Sequence, residues 1–179
     1  MKTHFVILPL RFATALCLLL LAAAHPASGA VTFSGDTSNS TNVIVGNTGQ
    51  GNLMIDDGSS LSNTEGFLGF STGSNGTVNV SGGNWTNSGN LTVGRNGTGS
   101  LAISGGTVSN TIGFAGFNAG SNGTVNVSGG TWTNSSGLVI GSFGNGSLTI
   151  SNNGIVSNVN GAVGAGVGST GTVNVSGGT

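Results

Sequence analysis

Apolar residues alternate with small polar residues in short blocks along most of this chain. In the stretch GTVNVSGG, which begins at Gly76, two valines are two positions apart and are separated by an asparagine. A period of two places alternate side chains on opposite faces of a strand, so the pattern predicts strands with one buried face. No sustained apolar period of 3.6 residues follows residue 30 in the sequence. We therefore predict an all-β chain.

These blocks recur. GTVNVSGG begins at residues 76, 123 and 171, while the related stretches GNLMI, GSLAI and GSLTI begin at 51, 99 and 146. Superposing both kinds gives a repeat of about 24 residues with three short strands, which Gly-, Asn- and Ser-rich turns separate. The first strand carries two apolar columns: Leu53, Val78, Leu101, Val125, Leu148 and Val173, then Ile55, Val80, Ile103, Val127, Ile150 and Val175.

Likeness at a fixed spacing of about 24 residues favours a right-handed parallel β-helix, or β-solenoid, of about six rungs. In such a fold each strand pairs with its counterpart one rung away, about 4.8 Å distant, so that like residues stack on like. The alternative is an antiparallel meander, for which Asn-Gly pairs such as Asn75-Gly76 are typical hairpin signals. A meander pairs neighbouring strands and does not explain the repeat, so the solenoid is preferred.

Two further columns lie in the second strand of the repeat. One is an asparagine column of nearly constant spacing, made of Asn63, Asn87, Asn110, Asn134 and Asn158. Asparagine tolerates left-handed backbone angles, and stacked amides can hydrogen-bond along a ladder, so we predict a structural Asn ladder in preference to a sugar site. Trp85 and Trp132 share a column with Leu61, Val108 and Val156. They are predicted to be core aromatics, the alternative being exposed rings that stack on sugars.

The N-terminus differs from the repeats. Residues 1–30 carry Lys2 and Arg11, then an apolar run, then small residues, which is the layout of a secretory signal peptide. The predicted organisation is therefore a signal peptide at 1–30 and a β-solenoid repeat region at 31–179, and the chain is expected to be exported. After removal of the signal peptide, one cation, Arg95, would face the four carboxylates of Asp36, Asp56, Asp57 and Glu65.

This composition narrows the chemistry. Without clustered Lys or Arg we expect no nucleic-acid partner, and without His, Cys or repeated acids after residue 30 we expect no metal site and no cofactor. Asp56 and Asp57 are neighbours that point to opposite sides of a strand, so they are interpreted as solvated turn residues. Serine is abundant, but a base that could activate it is lacking, so no catalytic residue is predicted and the protein is expected not to be an enzyme.

Binding, if the protein binds, is expected on outward residues. Outward rows of Thr77, Asn79 and Ser81, with their copies at 124, 126 and 128, suit weak multivalent contact with a glycan or a neighbouring cell surface. Phe70 and Phe117 follow the third strand and are interpreted as loop anchors, the alternative being an exposed apolar ridge.

The units GNGSLTISNNGIVSN and GTVNVSGGTWTNSSGLVIG resemble the repeat associated with bacterial type V secretion and PEP-CTERM proteins, and the passenger regions of autotransporters. The resemblance covers roughly residues 45–179. It implies a bacterial, exported stalk or adhesin at the outer membrane or cell surface, with an outer-membrane translocator as partner of a full-length product. Because the repeat pattern stops midway through a unit, we expect a C-terminally truncated chain. The alternatives are a fragment of a polysaccharide-active β-helix enzyme and an ice-binding β-solenoid.

Overall fold

The computed structural model describes residues 30–179, so the predicted signal peptide lies, apart from Ala30, outside the described residues. All regular elements of the described part are β-strands. In chain order they are β1 (Val31–Gly35), β2 (Thr37–Asn39), β3 (Val43–Val45), β4 (Gln50–Ile55), β5 (Ser60–Asn63), β6 (Gly66–Leu68), β7 (Asn75–Val80), β8 (Asn84–Asn87), β9 (Leu91–Val93), β10 (Thr98–Ile103), β11 (Thr107–Ala115), β12 (Asn122–Val127), β13 (Thr131–Ile140), β14 (Asn145–Ser151), β15 (Ile155–Val163) and β16 (Thr170–Ser176). Within residues 30–179, no helix has the length and apolarity needed to span a membrane.

The strands form a β-solenoid with three faces, as predicted. The first face is the sheet β1-β4-β7-β10-β12-β14-β16. The second face holds β5, β8 and the first halves of β11, β13 and β15, and the third face holds β2, β3, β6, β9 and the second halves of the same three strands. From β3 onward every strand pairs in parallel with its counterpart about 24 residues away, which excludes the antiparallel meander.

The apolar columns of the sequence are the core. Val78 of β7 pairs with Leu53 on one side and with Leu101 on the other, and all three side chains are buried. Their strand neighbours point outward: Asn79, for example, is exposed between two buried valines. The inward side chains of all three faces therefore pack together in one continuous core. The small polar residues lie on the outside.

The N-terminal end of the solenoid is closed by two strands that run the other way. β1 pairs antiparallel with β4, and β2 pairs antiparallel with β3. Val31 and Phe33 of β1 pack against the first rung of the core. This cap is not predictable from the repeat, because residues 31–39 do not match it. The cap covers inward side chains of the first rung.

Asp36, at the corner between β1 and β2, ties the cap to the first rung. Its main-chain carbonyl accepts the Gly46 N–H at 2.7 Å, as the Val45 carbonyl accepts the Gly69 N–H one rung further on. Its carboxylate Oδ2 accepts the main-chain N–H groups of Thr48 and of Gly49, the latter at 2.7 Å. These hydrogen bonds, the one from Thr48 first, lower the pKa of Asp36 from its usual 3.8.

The cap should therefore weaken in acid. Because the folded-state pKa of Asp36 is lowered, its stabilising contribution is fully present above about pH 4 and is lost as the pH falls through the lowered pKa. Asp36→Asn should have a lower unfolding temperature than the parent protein at pH 6, and the difference should shrink towards pH 2. Thermal unfolding followed by circular dichroism measures this. Asp57→Asn, in an exposed turn, is the control. An Asp36→Asn deficit of equal size at both pH values would contradict the assignment.

Candidate functional site

Both tryptophans are core residues in the structure. Trp85 lies on β8 and Trp132 on β13, and neither side chain is exposed to solvent. Each pairs in register with Val108 of the rung between them. An exposed aromatic pair that stacks on sugars is therefore wrong for these two rings. Large and small side chains alternate along this column, rung by rung.

Each tryptophan is hydrogen-bonded to an asparagine of the preceding rung. The indole N–H of Trp85 donates to Asn63 Oδ1 at 2.7 Å, and that of Trp132 donates to Asn110 Oδ1 at 2.7 Å. The amide of each of these asparagines then donates to the next one in the column: Asn63 Nδ2 to Asn87 Oδ1, and Asn110 Nδ2 to Asn134 Oδ1, both at 2.7 Å. The result is a three-residue network, repeated twice, that joins one rung to the next.

The asparagine column is consequently a series of pairs with a gap between them. Asn110 Oδ1 is taken by an indole, and Asn87 Nδ2 is buried with no hydrogen-bond partner among the described residues. Asn134 Nδ2 reaches only the Ser157 carbonyl, at 3.4 Å. The expectation of left-handed backbone at these asparagines is wrong. Positive φ occurs instead at corner glycines such as Gly69, and outside glycine at Asn152 and Asn153 among the described residues.

A glycine makes room for each indole ring. A Cβ atom built on Gly66 would lie 2.8 Å from Trp85 Cζ2, and one built on Gly113 would lie 2.6 Å from Trp132 Cζ2. The asparagine of the following rung is as close or closer: Asn87 Oδ1 would lie 2.8 Å from the Cβ on Gly66, and Asn134 Oδ1 would lie 2.3 Å from the Cβ on Gly113. Neither glycine has a positive φ, so close contact with the ring and with this amide, and not backbone conformation, requires glycine at these positions. Gly161 occupies the same column two rungs after Gly113, where a Cβ would meet Asn158 Nδ2 at 3.3 Å and no other described atom within 4 Å.

These contacts predict unequal effects of one substitution. Gly113→Ala should destabilise the protein by about 1–3 kcal/mol, the usual cost of overpacking a core, because its methyl group would overlap Asn134 Oδ1 and the Trp132 ring. Gly161→Ala, in the same column but without a ring against it, is the matched control and should change stability by less than about 0.5 kcal/mol. Urea unfolding monitored by tryptophan fluorescence compares the two. Equal losses would show that contact with Trp132 and Asn134 of the following rung is not the reason for glycine.

A shallow groove lies on the outside of the third face, and we call it the aromatic groove. It has a volume of about 240 Å³. Its walls and floor come from three successive rungs, and its lining residues are Glu65, Phe67, Asn90, Thr92, Arg95, Phe114 and Phe117. Phe67 and Phe114 are the outward residues of their strands and pair in register with Thr92 between them. The aromatic rungs therefore flank a polar rung, about 9.6 Å apart across two strand spacings.

Arg95 is the only Lys or Arg among residues 30–179, and it lies at the edge of this groove. Its guanidinium carbon is 4.2 Å from the centroid of the Phe70 ring and 5.1 Å from that of Phe67. Phe67 and Phe70 pack edge to face at 5.4 Å, and Phe114 and Phe117 do so at 4.8 Å. Cation–π and edge-to-face contacts hold these side chains in defined positions.

The groove combines apolar ring faces with groups that can hydrogen-bond. Phe67, Phe114 and Phe117 line the groove, and Phe70 packs beside it against Phe67 and Arg95. All four phenylalanines are neither buried nor fully exposed, so part of each residue faces solvent. Phe70 and Phe117 are thus neither simple loop anchors nor an unbroken ridge. Phe67, Phe114 and Arg95 were not predicted as partners from the sequence. The signal for the two phenylalanines is the third-strand register, which places residues 67, 92 and 114 in one outward column. Arg95 follows that strand and lies outside the column.

The remaining predicted residues lie elsewhere. Thr77 and Asn79, with Thr124 and Asn126, point outward from the first face, as their strands' alternation requires. Asp56 and Asp57 lie in the turn after β4, where Asp56 Oδ1 accepts the Ser81 hydroxyl at 3.0 Å. No three His, Cys, Asp or Glu side chains of residues 30–179 are grouped as metal ligands would be. Comparison of the chain with protein-family models, curated proteins and solved structures finds no match.

Proposed function

We propose that this protein is a non-enzymatic, exported β-solenoid that acts as a stalk or adhesin-like passenger at a bacterial cell surface and contacts glycans through the aromatic groove. The groove is the observation that carries the proposal. It is the place on the described surface where aromatic rings, a cation, a carboxylate and an amide line one depression. Ligand sites typically combine apolar walls with a few polar groups in this way.

A saccharide suits this chemistry. The C–H faces of sugar rings pack on aromatic rings, and two aromatic rungs about 9.6 Å apart offer two such contacts to one oligosaccharide. Asn90 and Glu65 lie beside them and can exchange hydrogen bonds with sugar hydroxyls, whereas Thr92, between the rings, is only 4% exposed. Arg95 adds a fixed positive charge, which favours sugars that carry a carboxylate.

The stalk role rests on the rest of the surface. Parallel rungs form one continuous stack, and its outer rows are small Thr, Ser and Asn side chains that can make repeated weak contacts. Some of these side chains already bridge rungs, as Asn145 does when its Nδ2 donates to Asn122 Oδ1 at 3.1 Å. The resemblance of the repeats to type V secretion passengers supports export and an outer-membrane translocator as partner.

Glycan binding can be tested on an oligosaccharide array that includes neutral and carboxylated sugars, with affinities then measured by calorimetry. Phe117→Ala should weaken binding roughly threefold to tenfold, because an aromatic contact contributes about 0.5–1.5 kcal/mol beyond its area. Arg95→Gln should weaken binding of carboxylated sugars more than that of neutral ones.

Phe143→Ala is the matched control, because this ring is 56% exposed but does not line the groove. It should leave binding unchanged. Binding that survives Phe117→Ala and Arg95→Gln but is lost with substitutions of the outward Thr77 and Thr124 would move the site to the first face. Depolymerised sugar in the reaction would contradict a non-enzymatic role.

A further inference from the structure

A column of outward side chains runs across the third face and continues beyond the aromatic groove on both sides. Ile44, Phe67, Thr92, Phe114 and Val139 lie in register on five successive rungs, and we call them the third-face column. Four spacings of about 4.8 Å give this column a length of about 19 Å. Ile44 and Val139 are half-buried, and neither lines the groove. The apolar surface therefore extends one rung past the groove at each end.

The second face shows that an apolar column is not required on the outside of this solenoid. Its outward column in the same register holds a hydroxyl on every rung: Ser62, Thr86, Ser109 and Thr133. Alternation along a strand places both columns towards solvent, where hydroxyls are well solvated. Contiguous apolar side chains on a soluble surface mark a place of interaction. The third-face column is consequently a surface for a ligand.

The backbone beneath the column limits what this ligand can be. The strand β6 is paired with β3 and β9, and β9 is paired with β6 and β11, so their main-chain groups are already hydrogen-bonded on both sides. An extended peptide cannot add to the middle of such a sheet as a further strand, because strand addition needs a free edge. Thr92 is 4% exposed, so the contact surface here consists mainly of the flanking phenylalanines. The ligand is therefore held by side chains.

The column is one residue wide, and polar groups lie along its borders. On one side, Asn42, Glu65 and Asn90 directly precede the third-face strands of three successive rungs. On the other side is Arg95, whose guanidinium carbon lies 5.1 Å from the centroid of the Phe67 ring. A sugar chain that lies flat has the complementary distribution, with apolar C–H faces and hydroxyl groups along its edges. A lipid surface would need a broad apolar face instead.

We propose that the third-face column is the track of an extended, carboxylate-bearing polysaccharide that lies along the axis of the stack. Its ring faces pack on Phe67 and Phe114, and further units reach Ile44 and Val139. A carboxylate of the chain pairs with Arg95. Each unit of an extended sugar chain advances by a distance comparable to the rung spacing of about 4.8 Å, so successive units meet successive rungs. The inference rests on the proposed glycan binding, and it adds the polymeric nature, the direction and the charge of the ligand.

A length series tests the track. The probes are the disaccharide and the hexasaccharide of cellulose, and the same two with each primary alcohol oxidised to a carboxylate, titrated into the full chain by calorimetry. The carboxylated hexasaccharide should bind at least about tenfold more tightly than the carboxylated disaccharide, because more of its rings cover apolar side chains. It should also bind more tightly than the neutral hexasaccharide, and Arg95→Gln should remove that second difference.

Substitutions outside the groove separate the track from the groove itself. Val139→Thr and Ile44→Thr each replace apolar surface by a hydroxyl on a β-branched side chain, which a strand accommodates. Each should weaken binding of the hexasaccharide about threefold to tenfold and leave binding of the disaccharide unchanged. Thr133→Val is the matched control, because it lies on the same strand as Val139 but faces outward on the second face. It should change neither affinity, and circular dichroism checks that all three variants fold.

The possible failures are distinguishable. Equal affinities for the disaccharide and the hexasaccharide, with Phe117→Ala weakening both, would overturn the track and leave glycan binding by the groove standing. Absence of binding to all four probes would count against the track and the proposed function together. Dimerisation of the parent protein, detected by sedimentation and abolished by Val139→Thr, would also overturn the track, because it would assign the third-face column to a second copy of the chain.

Discussion

The parallel backbone ladder between successive rungs is the constraint on which the rest of this molecule depends. Each strand lies about 4.8 Å above its counterpart, and a shift of one residue would turn every inward side chain outward. The position of a residue in its column therefore decides whether its side chain is buried. Differences in repeat length are accommodated at the corner between the second and third faces. There the pairing shifts by one residue between Asn110 and Ile112 of β11, and again between Asn134 and Gly137 of β13.

The chain repeats most closely over 47 or 48 residues because the core alternates between two kinds of rung. In these two columns one kind carries glycine and leucine or valine, and the other carries leucine and tryptophan. Trp132 fits because Gly113 faces it, and a slip by one rung would place the indole against Leu91 or a second indole. Stacking alone would allow a slip of 24 residues. The tryptophan–glycine contact and the indole hydrogen bond make that slip unfavourable, so they fix which rung lies on which.

The fold could be predicted from the sequence because paired strands of a parallel solenoid have the same residue types at a fixed spacing. Val78 and Leu101, for example, are both apolar because they lie in register in the same core column. The cap formed by residues 31–39 could not be predicted, since parallel and antiparallel strands show the same alternation of apolar and polar residues. The asparagine ladder was predicted as continuous, and its interruption at Asn87 depends on a competition that spacing does not reveal. An indole takes the Asn110 oxygen that the Asn87 amide would otherwise reach.

The aromatic groove follows from the same two-rung alternation, seen from outside. Gly66 and Gly113 occupy inward positions, where the lack of a side chain leaves room for the indoles. The next residue on each strand therefore points outward, and in both cases it is phenylalanine. The intervening rung, which supplies the leucine to the core, presents Thr92 outward instead. The period of the interior thus decides which residues face outward, whereas the aromatic identity belongs to Phe67 and Phe114 alone, since Ala162 follows Gly161 on the third rung of this kind. Changing the order of rungs inside would also take apart the groove outside.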